Sequence, residues 1–238
     1  MLDTYKHKIH LINILTILYK DTTAATRLGF KGGTAAMLFY KLPRFSVDLD
    51  FDFMGEVSKK EAGDMVEHLR EILSKQYQVV DFRAKYHTLF LLVSYEKYQR
   101  RIKIEINTRK APNEYQPVNY YGVAIPVLSL GDMIAHKLIA LMDRKVTANR
   151  DLFDAHFFLS SPHKTEINYR IIETLTGLKP AEFFEKLLKF VTGYKPKSIL
   201  DGLGELLDEK QKNWVRTRLA SELTNLIRMQ TDLVSNRL

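Results

Sequence analysis

Asp48, Asp50 and Asp52 occupy alternate positions among Val47, Leu49, Phe51 and Phe53. A period of two is that of a half-buried strand, so the three carboxylates share one face and the apolar side chains the other. Carboxylates this close repel unless a cation sits among them, and strands ordinarily avoid Asp. Hard oxygen donors in a short row suit Mg²⁺ or Mn²⁺ better than zinc, and the chemistry they imply is metal-assisted phosphoryl transfer. A solvated strand face is the alternative for the row. Asp52, at the strand end, stays open between a site role, a turn cap and a residue facing water.

Just upstream, Gly32, Gly33 and Thr34 follow Lys31 as a small-residue turn that a backbone can press against a ligand. Residues 35–42 then read as a short helix, whose free N–H groups and positive dipole end would face an anionic phosphate. Thr34 supplies a hydroxyl for capping or phosphate contact. Downstream, residues 101–107, RIKIEIN, place Ile102, Ile104 and Ile106 on one face and Lys103, Glu105 and Asn107 on the other. Glu105 either completes a metal site or accepts a proton from an attacking hydroxyl, or it pairs with Lys103 or a neighbouring strand.

Further on, Leu130, Ile134, Leu138 and Leu141 make an apolar stripe at helical spacing, with Lys137 and Arg144 two turns apart on another face. Two cations on one edge can bracket a triphosphate; a solvated basic face is the alternative. Asp151 and Asp154 open the helix carrying Leu152, Phe153, Phe157 and Phe158, where capping and dipole chemistry already account for them. His136 and His156 lie beside apolar residues with no Cys or third His at ligand spacing and receive no role.

The elements that must position these groups change character at Pro126. Before it, strands are expected at 48–53, 78–83, 88–95, 101–107 and 123–125 among helices; after it the pattern is helical, with breaks at 160–163, 177–180, 193–196 and 202–204. Pro180 fits the first turn of a helix. The expected organisation is α+β: a mixed β-sheet domain over 1–125 and a C-terminal helical bundle over 126–238. With 238 residues and 45% apolar content the chain can bury one substantial core or two small ones. No segment is a plausible membrane span, and residues 9–19 read as an amphipathic helix rather than a signal peptide. The absence of cysteine excludes disulfides, thiolate catalysis and Cys-ligated zinc and fits the cytoplasm. A formal charge of +8 and a pI near 9.4 fit a polyanionic partner.

Taken together, KGGTA at 31–35, RFSVDLDF at 44–51, KIEIN at 103–107, HKLIALMDR at 136–144 and RDLFD at 150–154 resemble the nucleotidyltransferase superfamily, and more closely the AbiEii/AbiGii toxin family. The resemblance implies a nucleotidyltransferase-like fold in a toxin of a type IV toxin–antitoxin or phage-defence system, with a separately encoded antitoxin as partner. It implies that Asp48 and Asp50 hold the metal, and that Gly33 and Thr34, beside Lys31 and Gly32, hold the triphosphate. Lys137 and Arg144 would match the family's basic motif, and Asp151 and Asp154 its last acidic one, which makes Asp151 a catalytic candidate. The expected reaction is Mg²⁺- or Mn²⁺-dependent transfer of an NMP from an NTP to an acceptor such as tRNA or another RNA, with Glu105 assisting and pyrophosphate released. A toxin of the same fold that binds NTP or RNA without transfer is the alternative; a sugar-nucleotide glycosyltransferase also uses D-x-D, but the Gly-Gly-Thr turn ahead of the motif argues against it.

Overall fold

The computed structural model describes residues 3–96, 100–143 and 149–236, and they divide into two compact units at Ser129 and Leu130. The first unit opens with helices α1 (Thr4–Lys20) and α2 (Thr22–Arg27), then strand β1 (Leu28–Lys31), helix α3 (Gly32–Phe39) and strand β2 (Leu49–Phe53). Helix α4 (Lys59–Ser74) and strands β3 (Gln78–Ala84), β4 (Thr88–Glu96), β5 (Arg100–Asn107), β6 (Tyr115–Tyr120) and β7 (Val123–Leu128) complete it.

The seven strands form one mixed sheet in the order β3-β4-β5-β2-β1-β7-β6. Strand β2 sits centrally, antiparallel to β1 and parallel to β5, with Asp50 opposite Lys31 on one side and Glu105 on the other. Because cross-strand partners share a face, the sheet sorts itself into rows. One face carries Leu28, Phe30, Leu49, Phe51, Leu89, Leu91, Ile102, Ile104 and Ile106, all fully buried. Helix α1 covers it with Leu11, Ile14, Leu15 and Leu18, an i, i+3, i+4, i+7 stripe, and with the Tyr19 ring against Phe51. Helix α4 starts from a capping box between Ser58 and Glu61 and lays Leu69 and Leu73 into the same core. The opposite face carries the polar rows.

Several expectations shift. Gly32, Gly33 and Thr34 are the first turn of α3 and not a turn ahead of it; the helix ends at Phe39, and Lys41 takes a left-handed conformation. Strands β1 and β6 were not expected, and β7 runs through Pro126, opposite Pro117 of edge strand β6, where a missing donor is tolerated.

The second unit is helical: α5 (Leu130–Asp143), α6 (Asn149–Ser160), α7 (Tyr169–Thr176), α8 (Pro180–Gly193), α9 (Glu209–Thr217) and α10 (Leu219–Ser235). Its core includes Ile134, Leu138, Leu141, Phe158, Ile172, Phe183, Phe184, Leu187, Leu223 and Ile227, each with no exposed surface. No described helix is long and apolar enough to cross a membrane.

Candidate active site

Two polar rows cross the open face of the sheet. Lys31, Asp50 and Glu105 form one and Gly29, Asp52, Asn107 and Thr88 the other. Lys31, Asp50, Phe51, Thr88, Glu105 and Asn107 line a recess of about 170 Å³. The register carried one residue back from Leu49–Ile104 sets Asp48 beside Lys103, whose Nζ lies 3.4 Å from Asp48 Oδ2 and 2.9 Å from Glu105 Oε2. Burial alone would lower the Lys103 ammonium; the bond to Glu105 and the charges of Asp48, Glu105 and Asp50 hold it above the ordinary lysine range.

The start of α3 is fitted to the carboxylates. Gly32 has φ +80°, and a Cβ there would lie 2.2 Å from Asp50 Oδ2, so only glycine lets the Asp50 carboxylate rest against this backbone. The next helical residue, Gly33, is also close-packed: a Cβ would lie 2.7 Å from Ser46 Oγ and 3.1 Å from Nη2 of the buried Arg44. Thr34 is fully buried and donates its hydroxyl to the backbone carbonyl of Asp48. The preceding carbonyl, of Val47, accepts a hydrogen bond from Nε2 of buried His7 at 2.9 Å, and His7 Nδ1 lies 2.8 Å from the Tyr95 hydroxyl. A carbonyl can only accept, so Nε2 carries a proton. The two peptide oxygens leading into the aspartate strand are thus both pinned.

Asp52 differs from its neighbours. It is 4% exposed and receives bonds from Lys31, from Asn107 Nδ2 at 2.9 Å, from Asn113 Nδ2 at 2.7 Å and from the Tyr115 hydroxyl. The Tyr115 ring reaches it by lying over Gly29, where a Cβ would come within 2.3 Å of the ring. Burial alone would raise the Asp52 carboxyl, but the charge and hydrogen bond of Lys31, with Tyr115 and Asn107, hold it below the usual carboxylate range. Burial and then the Asp52 charge push the Tyr115 phenol far up. Asp52 neither faces water nor caps a turn; it anchors Lys31.

Of the remaining predicted residues, Lys137 and Asp151 belong to the helical unit. Lys137 Nζ lies 2.7 Å from Asp154 Oδ2, both side chains being almost wholly buried. Asp151 is 2% exposed in the first turn of α6, whose start is held by Asn149, donating to the carbonyls of Ser198 at 2.9 Å and Asp201 at 3.1 Å. Arg144 lies outside the described residues. His156 packs edge-on to Trp214 and bonds Glu222 at 3.1 Å.

A family model described as "Nucleotidyl transferase AbiEii toxin, Type IV TA system" matches residues 16–224. The chain belongs to the AbiEii toxin family. Among solved structures, the AbiEii-family chain is similar to a "putative nucleotidyltransferase from H. pylori", at 21% identity and a TM-score of 0.61 over 100% of this chain and 99% of that one. It is also similar to JHP933 from Helicobacter pylori, at 21% identity and a TM-score of 0.60 over 100% and 95%. At that identity the likeness is one of fold. No curated protein sequence matches. The family's place in a type IV toxin–antitoxin system implies an antitoxin partner.

Among the described residues of this AbiEii-family chain, no three His, Cys, Asp or Glu side chains close into a metal cage. The donor set nonetheless fits Mg²⁺ or Mn²⁺ in the manner of nucleotide sites, where one or two carboxylates share the ion with phosphate oxygens. A cation already sits there, in the form of the Lys103 ammonium between Asp48 and Glu105. Sequence reasoning passed over Arg44 and His7, and Asn113 and Tyr115 among the partners of Asp52; it named Lys103 only as an alternative partner of Glu105, and that pair is present at 2.9 Å. Lys103 and Arg44 stood inside the quoted motifs as a charge beside the acidic positions; His7 carried no local signal.

Proposed function

We propose that this toxin is a metal-dependent nucleotidyltransferase that moves an NMP from an NTP to an acceptor hydroxyl, with tRNA or another RNA as acceptor. The observation that carries the reading is the seating of the Asp50 carboxylate against Gly32 at the start of α3, beside Asp48 and Glu105. It brings hard anionic donors to the helix end that favours phosphate.

Asp48 and Asp50, with Glu105, would hold Mg²⁺ or Mn²⁺; when bound, the ion polarises phosphate oxygens and offsets the charge that develops on them. The N–H groups of Gly32 and Gly33 and the guanidinium of Arg44 present positive charge to the triphosphate. Thr34 and His7 fix the backbone from which Asp48 projects. Lys31, held by Asp52, stands in the recess beside Asp50 and Glu105. Glu105 accepts the proton of the attacking hydroxyl, whose oxygen bonds to the α-phosphorus as the bond to the β-phosphate oxygen breaks and pyrophosphate leaves. We infer the cytoplasm as its compartment, from the cysteine-free composition and the nature of the substrates.

The test is incubation of the purified protein with Mg²⁺, each α-labelled NTP in turn and total bacterial RNA, with Asp50→Ala in parallel. Label entering RNA and vanishing in the variant supports transfer and names the nucleotide. Absence of label with every NTP, alongside NTP-dependent thermal stabilisation, moves the reading to a binding toxin.

A further inference from the structure

We propose that Lys103 is a resident counter-ion of the carboxylate cluster, one that occupies the cation position in the metal-free protein and must leave it for the metal to bind. The inference rests on the reading of Asp48, Asp50 and Glu105 as a metal site. Asp48 and Glu105 both pair with the Lys103 ammonium, and Asp50 stands opposite Glu105 in the strand register. Among the described residues, Lys103 is the only cation paired with Asp48 or Glu105, at 3.4 Å and 2.9 Å. The basic side chain that lines the recess, Lys31, is engaged by Asp52.

The position of Lys103 follows from the strand. Alternation puts Lys103 and Glu105 on one face two residues apart, and the parallel register with β2 brings Asp48 alongside. The ammonium is a compact point charge on a flexible stem, and with its side chain 34% exposed it has a path to solvent. It relieves the mutual repulsion of the carboxylates without filling the site irreversibly. A free divalent ion must therefore compete with a tethered cation, whereas an ion arriving with a triphosphate brings additional oxygen ligands and displaces the lysine more readily. Lys103 thus acts through the carboxylates as a positioning residue and makes the site selective for metal delivered with nucleotide.

The experiment is Mn²⁺ binding followed by electron paramagnetic resonance, without nucleotide, on wild type, Lys103→Met, Lys103→Arg and Lys110→Met. Lys110 is an exposed lysine paired with Glu56 and controls for net charge. Removing a partly exposed bridging charge predicts affinity about tenfold tighter in Lys103→Met, with little change in Lys103→Arg or Lys110→Met. Mn²⁺ should also raise the melting temperature of Lys103→Met more than that of wild type. Equal affinity in wild type and Lys103→Met, or an equal gain in Lys110→Met, overturns the counter-ion role and leaves the metal site standing. Absence of Mn²⁺ binding in both wild type and Lys103→Met, with and without NTP, overturns the metal site and the proposal together.

Discussion

Asp50 and Asp52 are the same residue on the same strand and the same face, two positions apart, and their surroundings differ sharply. Asp50 is half-buried, lines a recess and rests against the glycine that opens α3. Asp52 is almost wholly buried and is bonded by an ammonium, two amides and a phenol. A carboxylate with that many donors has little lone-pair capacity left for a ligand, whereas Asp50 lines the recess together with Lys31 and Glu105. Periodicity fixes which face a carboxylate points to; its partners decide whether it does chemistry or holds a neighbour in place.

Replacing each aspartate in turn is the strongest way to break this contrast. Asp50→Ala should lower turnover on the order of 10³-fold or more, as expected for loss of a ligand to the ion proposed to offset transition-state charge. Its melting temperature should stay near wild type, because the side chain is half-buried and removing it relieves repulsion from Asp48 and Glu105. Asp52→Ala should do the reverse in kind, costing about 3 kcal/mol of stability in urea unfolding by depriving the partly buried Lys31 ammonium, Asn107, Asn113 and Tyr115 of the carboxylate they bond. Wild-type stability in Asp52→Ala would show that the buried ion pair is replaceable.

Gly32→Ala attacks the contact itself. The added methyl needs the space of Asp50 Oδ2 at a backbone angle that alanine rarely adopts. About 1–2 kcal/mol of strain and a drop in turnover of about 10² are expected, since a displacement of the carboxylate by an ångström is enough for the latter. Unaltered kinetics in a folded Gly32→Ala protein would detach Asp50 from the active geometry. A smaller effect distinguishes the two rows by pH. Because the Asp52 carboxyl is held below its unfolded value, its contribution to stability is complete above about pH 4 and is lost as pH falls through the lower folded value. Asp52→Asn should therefore show a shallower loss of stability below about pH 4 than wild type, measured by urea unfolding across an acid series.

Much of this contrast was legible in the residues, but unevenly. The alternation of Leu49, Phe51 and Phe53 with the aspartates, and of Ile102, Ile104 and Ile106 with Lys103 and Glu105, is local and gives the strands and their faces directly. Asp52 was left open because its partners Asn107, Asn113 and Tyr115 stand 55 to 63 residues away, and side-chain bonds across strands have no local signature. Strand β1 is only four residues long and contains Gly29, whose missing side chain matters to Tyr115 and not to any periodicity. Strand β6 carries Pro117 and no apolar alternation, as an edge strand can. Gly32–Thr34 read as a turn because paired glycines weaken a helix, yet here the carboxylate of Asp50 and the side chains of Ser46 and Arg44 require glycine in the helix's own first turn.

Thr34 offers the finest test of how far local reading reaches, because two roles were open to its hydroxyl and the structure gives it a partner. It donates to the carbonyl of Asp48 from a fully buried position, so its effect on the site passes through the backbone. Thr34→Val keeps the shape and removes the donor, leaving a carbonyl unsatisfied at a cost of about 1 kcal/mol. Because Asp48 then loses one of its two anchors, Mn²⁺ affinity should weaken a few-fold, whereas NTP binding measured in EDTA should not change; Thr34→Ser, which retains the donor, should restore the metal affinity. A hydroxyl that instead contacts phosphate would give the opposite split, with NTP affinity falling in EDTA and the intrinsic Mn²⁺ affinity intact. The Val47 carbonyl, still held by His7, limits the damage, so the double variant Thr34→Val with His7→Phe should lose more metal affinity than the product of the single losses.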